Sequence, residues 1–329
     1  MKIGLYFDMR NPPGWRQDPA RLYAFTLEMC EEAERLGIDS IWLTEHHLFE
    51  DGYLPQPLTM AAAIAARTRR VRIGTAVMLA PLHSAVSIAE QSAIVDLLSD
   101  GRLELGLGSG YRIPEFSLFG ADLAGRFATT NQRVRDLRQL WTENRLTPKP
   151  RQARIPIWLG YSGPKNARRA GQLGEGLLAL MPELLEPYRQ GLIEGGHDPG
   201  SARMAGVMHG WFSEDPERAW PTVSKHVGYW LNSYRRYMVE GTGAPDPPPV
   251  DPEQIRCTGL SGEVRASLSS GSLLYTTPRD AAPMIKVHLA GLPVEHLFFW
   301  ASFAGMPESM VEQNVQTICT KVAPLLREA

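Results

Sequence analysis

A chain of 329 residues, 43% hydrophobic, can bury a sizeable core and is long enough for either one closed barrel or two ordinary domains. Its formal net charge of -2, with no block of Lys or Arg, argues against nucleic acid or an anionic membrane surface and leaves a small molecule as the expected partner. The opening run Met1-Lys2-Ile3-Gly4-Leu5 lacks the pattern of a signal peptide and no apolar run approaches a membrane span, so a cytoplasmic location is expected.

Residues 2–9 read as a first strand, and Asn11-Pro12-Pro13-Gly14 as a loop. After Asp18-Pro19, apolar residues recur at Leu22, Phe25, Met29, Ala33 and Leu36, with charges between them and Gly37 behind, which predicts a capped amphipathic helix. The apolar run over 40–47 is a second strand, and an alanine-rich helix follows near 58–68. Strand 71–79, helix 84–98 and strand 102–108 continue the rhythm, and three βα units in the first hundred residues argue for a parallel sheet wrapped by helices. Further on come a helix near 126–143, strand 155–160, a helix from Pro164, strand 176–181, strand 203–212 and a long helix over 215–240. A helix over 277–291, strand 294–303 and a last helix with Val311, Val315, Ile318 and Val322 on its inner face end the chain. The strand count is eight, as in a (β/α)8 barrel. Residues 241–272, with Ala-Pro-Asp-Pro-Pro-Pro and a Ser/Gly-rich tail, break the rhythm before the last strand and are expected to act as a lid over the barrel mouth. Cys30 and Cys319 fall in helical patterns and Cys257 in a loop; with no Cys-x-x-Cys they read as packing thiols.

Three stretches carry chemistry. The second strand ends in Glu45-His46-His47, where a parallel barrel keeps its reactive groups. Neighbouring side chains on an extended segment diverge, so only one histidine need face a pocket, and no third ligand stands at an obvious spacing for a metal. Gly106-Leu107-Gly108-Ser109-Gly110-Tyr111 superficially suits a dinucleotide loop, but the third glycine is missing and Pro114 stands where a helix should begin. These glycines instead permit a sharp bend or close approach to a flat ligand. At Tyr161-Ser162-Gly163-Pro164, Ser162 has the identity of an N-cap and the coming helix offers free N–H groups to a phosphate, with Arg126 as a counter-charge. Lys2, Arg72 and Glu104 sit early in their strands and read as an ion cluster at the other end of the barrel.

In order and spacing, the chain resembles the bacterial luciferase-like flavin monooxygenase family. The resemblance rests on Glu45-His46-His47, Ile73-Gly74-Thr75-Ala76-Val77, Pro81-Leu82-His83, Ala89-Glu90-Gln91, the run from Gly101 to Tyr111, Trp158-Leu159-Gly160-Tyr161-Ser162-Gly163-Pro164-Lys165 and Phe303-Ala304-Gly305-Met306. It implies a single TIM barrel over 1–329 with an insertion before the last strand, and a flavin in its mouth. By the same resemblance Thr75, Ala76 and Val77 lie along the isoalloxazine, with a cis peptide at Ala76–Val77. Gly108, Ser109 and Tyr111 line the ribityl and phosphate path, and Arg126, Ser162 and Gly163 hold the phosphate. His46 matches the family's acid/base histidine, with His47 beside it. The reactive cysteine of the luciferases is replaced here by Gly108, so light emission is not implied.

The expected activity is a two-component monooxygenase that takes reduced FMN from a separate flavin reductase and, through a C4a-peroxide formed with O2, oxygenates a hydrophobic organic substrate. No motif for NAD(P)H is visible. Hydride transfer with the deazaflavin F420, found in another branch of the family, is the alternative, and a flavin-binding subunit without turnover is the third reading. Tyr53, His209, Trp211, Trp300 and Phe303 are expected to line the substrate pocket. The family's habit implies a homodimer through helices of the N-terminal half.

Overall fold

The structure, a computed structural model, describes residues 1–142, 146–257 and 273–328. Its strands are β1 (Lys2–Tyr6), β2 (Ser40–Leu43), β3 (Arg72–Thr75), β4 (Met78–Leu79), β5 (Leu103–Gly108), β6 (Ile157–Leu159), β7 (Gly176–Leu177), β8 (Met204–Met208), β9 (Gly210–Phe212), β10 (Arg256–Cys257), β11 (Leu273–Thr276) and β12 (Val294–Trp300). The main sheet runs β3-β2-β1-β12-β8-β7-β6-β5, every pairing parallel, and closes where β5 pairs back onto β3 through Ile73 opposite Leu103 and Gly74 opposite Glu104. This is the (β/α)8 barrel that the eight apolar runs predict. Several strands are shorter than their runs: β2 stops at Leu43, and the third is split, with β4 resuming beside β5 after residues 76 and 77.

The helices are α1 (Pro19–Arg35), α2 (Pro57–Arg67), α3 (Ala85–Leu98), α4 (Ile113–Phe119), α5 (Arg126–Thr142), α6 (Pro164–Gln172), α7 (Leu185–Glu194) and α8 (Pro216–Val239), followed by Pro278–Leu289 and Glu308–Thr317. Three of them start at side-chain caps near the expected positions. Asp18 accepts from the Ala20 N–H ahead of α1, Ser84 from Ser87 ahead of α3, and Thr277 from Asp280 ahead of Pro278–Leu289. α4 is a correction, because Pro114 lies in its first turn, where a missing N–H costs nothing, and so opens a helix in the stretch that reads as loop. None of the helices among the described residues is long and apolar enough to cross a membrane.

Indoles fill the barrel interior. Trp42 stacks on Phe298 with ring centroids 4.6 Å apart, and Trp42 and Trp158 both meet His296 edge-on at 5.4 and 5.7 Å. Glycine makes room for them: a Cβ at Gly74 would lie 2.3 Å from Trp42, and one at Gly176 2.4 Å from Trp158. At this lower end Glu104 is buried against Arg72, accepts from the Trp158 indole at 2.7 Å and lies 3.5 Å from His296 Nε2. Arg72 and Glu104 thus form the expected cluster. Lys2 does not join it; it is exposed and makes no ion pair among the described residues, and His296 stands in its place.

Burial alone would raise the Glu104 carboxyl, but His296, Arg72 and Trp158 outweigh it and hold it at about 2 against an ordinary 4.5. A group depressed in this way contributes stability that is complete above its unfolded value and lost as pH falls through the folded one. Acidification from pH 4.5 to about 2 is therefore expected to remove on the order of 3 kcal/mol through this residue. Urea unfolding of Glu104→Gln across that range checks it: the variant starts less stable and lacks this part of the slope.

Between the seventh and eighth barrel strands, the chain leaves β8 through β9, builds α8, and returns by β10 and β11, which extend β9 into a second parallel ladder of order β10-β11-β9. Cys257 lies in β10, not in a loop. α8 buries Trp220, Val223, Val227, Trp230 and Tyr237, one stripe at helical spacing. Residues 241–257 run back along α8, where Asn232 bonds both the N–H and the carbonyl of Val250, at 2.8 and 3.0 Å. The described part of the expected lid therefore packs on α8; its remainder, 258–272, lies outside the described residues.

Candidate active site

At the C-terminal end of the barrel, where β2, β4, β5 and β6 finish, a cavity of about 410 Å³ opens. Its lining includes His46 and Glu45 after β2, Ala76 and Val77 between β3 and β4, Gly108 to Tyr111 after β5, Arg126 and Phe127 at the start of α5, and Gly160 and Ser162 after β6. Tyr6 reaches in from β1, and Tyr234 and Met238 come down from α8.

The peptide between Ala76 and Val77 is cis. Its neighbourhood is held from several directions, with the Ala76 N–H donating to Leu43 at 2.7 Å and the Tyr6 hydroxyl to the Ala76 carbonyl. Val77 explains two glycines. A Cβ at Gly108 would come 2.3 Å from Val77 Cγ2, and one at Gly160 2.6 Å from Val77 Cγ1, so these positions yield to a valine side chain. The sharp bend falls to Gly110, at φ 67°.

His46 and His47 diverge as adjacent residues should. The His46 ring borders the cavity, stacked on Phe49 at 4.8 Å; its Nδ1 lies 2.8 Å from Glu115 Oε1 and its Nε2 3.4 Å from the Tyr111 hydroxyl. Glu115, on α4, also accepts from the His47 backbone N–H at 2.9 Å and is fully buried beside Arg112 at 3.4 Å. Burial pushes its carboxyl up, but His46, the His47 amide and Arg112 outweigh that and hold it below the usual range. An ionised Glu115 accepts from Nδ1 and so fixes the ring with its Nε2 toward the cavity.

His47 lies outside the cavity lining. Its Nε2 is 2.8 Å from Glu45 Oε1, which also receives His83 Nε2 at 2.6 Å, while Glu45 Oε2 accepts from the Leu79 N–H at 2.7 Å. Glu45 thereby ties the end of β2 to the segment that follows the cis peptide. Thr75 likewise turns away: its hydroxyl donates to the Gly106 carbonyl at 2.7 Å and accepts the Gly106 N–H at 2.9 Å, pinning β3 to β5.

At the β5–β6 side, Arg126 donates through NH1 to the Leu123 carbonyl at 2.9 Å, while its buried Nε has no hydrogen-bond partner. Ser109 Oγ contacts Thr130 Oγ1 at 3.0 Å. Ser162 is exposed at the cavity rim and does not cap α6; the N-cap is Gly163, at φ 79° with no side-chain bond, just outside the lining. An orphaned guanidinium N–H, a hydroxyl and an uncapped helix start suit a phosphate, which accepts from all three.

Of the expected substrate-pocket residues, only Tyr53 reaches the cavity. His209, Trp211, Trp300 and Phe303 form a packed aromatic layer under α8, with the Trp300 indole donating to His209 Nδ1 at 2.9 Å and burial lowering His209 to about 4. Glu115, Tyr6, Tyr234 and Met238 escape a sequence reading. Glu115 sits on the helix hidden by Pro114, and Tyr234 and Met238 are spaced like core residues of α8.

A parallel barrel with a cis peptide, an imidazole and a phosphate-suited corner at its mouth is the architecture of an enzyme that seats a flat, phosphorylated cofactor. The family model described as "Luciferase-like monooxygenase" matches residues 1–258, and the chain belongs to that family. Among curated relatives, the "F420-dependent glucose-6-phosphate dehydrogenase" of Amycolatopsis mediterranei is 31% identical over 51% of this chain and 56% of its own length. The oxygenase component of a "Flavin-dependent trigonelline monooxygenase" from Acinetobacter baylyi is 27% identical over 53% of this chain and 52% of its own length. The chain thus matches little more than half the length of these relatives. Among solved structures, "monooxygenase RslO1 from Streptomyces bottropensis" superposes with a TM-score of 0.78 at 22% identity, over 98% of this chain and 99% of that one. The oxygenating constituent of "3,6-diketocamphane monooxygenase" from Pseudomonas putida, in complex with FMN, gives 0.74 at 18%, over 99% and 98%. These last two likenesses speak to the fold.

Proposed function

We propose that the protein is the oxygenase component of a two-component flavin-dependent monooxygenase, using reduced FMN delivered by a separate reductase to oxygenate an organic substrate with O2. The observation that carries this reading is one cavity bordered both by His46, which the buried Glu115 holds from behind, and by Arg126, whose Nε is unpartnered. When bound, reduced FMN supplies the electrons that activate O2. The protein's own groups do the rest. Arg126, Ser162 and the start of α6 behind Gly163 hold the phosphate, with Ser109 beside its path donating to Thr130; Ala76, Val77 and Gly108 back the ring, with Thr75 anchoring that strand. His46 Nε2 takes up or returns a proton, Glu115 fixes its ring, and Tyr111 stands within reach of the same nitrogen. His47 acts indirectly, by tying Glu45 in place. Tyr234 of α8 excludes water from that side, with Met238 at the rim.

Hydride transfer with F420 is the second reading, favoured by the F420-dependent relatives, and both cofactors present a flat ring and a phosphate. Anaerobic titration with reduced FMN and with F420 separates the two, since product that appears only on admitting O2 to the FMN complex supports the first and F420 reduction the second. Arg126→Ala is expected to weaken FMN about ten- to a hundredfold, the worth of a hydrogen bond to a charged group. An unchanged affinity in fluorescence titration would remove Arg126 from the phosphate site. The outward side of α3 leaves Val86, Ile94, Leu97 and Leu98 exposed, which supports a homodimer through this helix. Sedimentation velocity reads that directly.

A further inference from the structure

We propose that the side of the cavity between His46 and α8 takes an uncharged ring compound through a phenol or ketone oxygen and turns away phosphorylated and carboxylated ones; this rests on the cavity being the FMN site. Four phenols border the cavity, and that of Tyr6 is already committed to the Ala76 carbonyl. Tyr53 and Tyr234 contact each other through their hydroxyls; one donates to the other, and the second hydrogen is left over from that bond. Tyr111 points its hydroxyl toward His46 Nε2 at 3.4 Å. Burial raises Tyr53 and Tyr234 well above their ordinary 10, and raises Tyr111 too, so all three are neutral donors at physiological pH. A guest meets the hydrogen left over by the Tyr53–Tyr234 pair and, between Tyr111 and His46 Nε2, a hydroxyl and a ring nitrogen 3.4 Å apart that its own oxygen can bridge, the set that a ketone or a phenol oxygen satisfies.

No unpaired Lys or Arg among the described residues faces this side. Among the described residues the charged side chains lining the cavity are Glu45 and Arg126. Glu45 is occupied by His47, His83 and the Leu79 amide, and Arg126 belongs to the β5–β6 side. The guanidinium of Arg10 lies behind the phenols, 5.3 and 4.9 Å from the ring centres of Tyr53 and Tyr234. Asp8 neutralises it at 2.6 Å, with Asp51 at 3.9 Å. Arg112 is paired with Glu115 and Glu240. A phosphate or carboxylate placed here would lose its hydration, gain no Lys or Arg, and stand on the same side as the ionised Glu115 behind His46. The walls suit a ring: Tyr53, Tyr111 and Tyr234 stand at 69–88° around His46, at 4.9, 5.4 and 6.0 Å, with the Met238 thioether beside them.

The test is anaerobic calorimetric titration of the full chain with 2-naphthol, 2-naphthoate and glucose 6-phosphate, with and without saturating reduced FMN. 2-Naphthol is expected to bind at least about tenfold more tightly than 2-naphthoate, with no measurable binding of glucose 6-phosphate. Tyr53→Phe and Tyr234→Phe are each expected to weaken 2-naphthol about five- to tenfold, the worth of one hydrogen bond, while retained FMN affinity reports an intact cavity. Naphthoate or glucose 6-phosphate binding as well as 2-naphthol, no binding of 2-naphthol, or two phenylalanine variants that bind it undiminished would each overturn the proposal. FMN that fails to bind sinks the cofactor reading; FMN that binds while naphthol and naphthoate compete equally sinks only this one.

Discussion

His46→Ala is expected to slow FMN- and O2-dependent turnover about 10²- to 10³-fold while leaving FMN affinity within roughly twofold, because the ring moves a proton and does not touch the phosphate site. The expectation rests on an imidazole whose Nδ1 is fixed on Glu115 at 2.8 Å and whose other nitrogen faces the cavity. Glu115→Gln keeps an acceptor for Nδ1 but removes the charge, so a smaller loss is expected. If the two residues act as a unit, His46→Ala combined with Glu115→Gln loses no more than His46→Ala alone. Fully additive losses in single-turnover kinetics would mean that Glu115 serves only the fold. Unchanged turnover in His46→Ala would remove the proton-transfer role altogether.

Gly106→Ala carries the largest expected cost in stability, about 3 kcal/mol, at the high end for overpacking. A Cβ there would stand 1.8 Å from the Thr75 carbonyl oxygen and 3.0 Å from its carbon, and these are backbone atoms that no rotamer change can move. The seam concerned is the one that closes the barrel, where Thr75 clamps both polar groups of Gly106. Gly108→Ala makes the contrast, since its new methyl would meet only the Val77 side chain, at 2.3 Å. It is expected to spare the fold more and to disturb FMN binding instead. Urea unfolding of both variants, beside FMN titration, distinguishes them; equal unfolding midpoints for Gly106→Ala and the unsubstituted chain would contradict the geometry.

The barrel was legible because its signals are local. Apolar runs at the spacing of βα units, a capping Asp18 and Ser84, and a glycine stop at Gly37 each act within a few residues. The ends of those runs were harder to place, since Thr44 to His47 and Ala76-Val77 are as apolar or as buried as the strands they leave, yet form the site. His46, Ala76, Val77, Gly108, Ser109, Tyr111, Arg126 and Ser162 do meet around one cavity. Glu115 was masked because a proline in a first helical turn looks, in sequence, like a proline in a loop. The substrate side was read wrongly for a different reason. Trp300 and Phe303 are large aromatics just past a strand end, and only the tertiary course of α8 decides that they are roofed over while Tyr234 and Met238 are left facing in.

That division of labour between α8 and the rest has an evolutionary reading. The floor of the cavity, His46 with Glu115, and the corner around Arg126 and Ser162 all come from the first half of the chain, whereas Tyr234 and Met238, one part of the wall facing a guest, come from an excursion between β9 and β12. Drift in that excursion can retune which molecules are admitted without disturbing the machinery beneath. A lineage built this way can diversify its clientele by rewriting a single module.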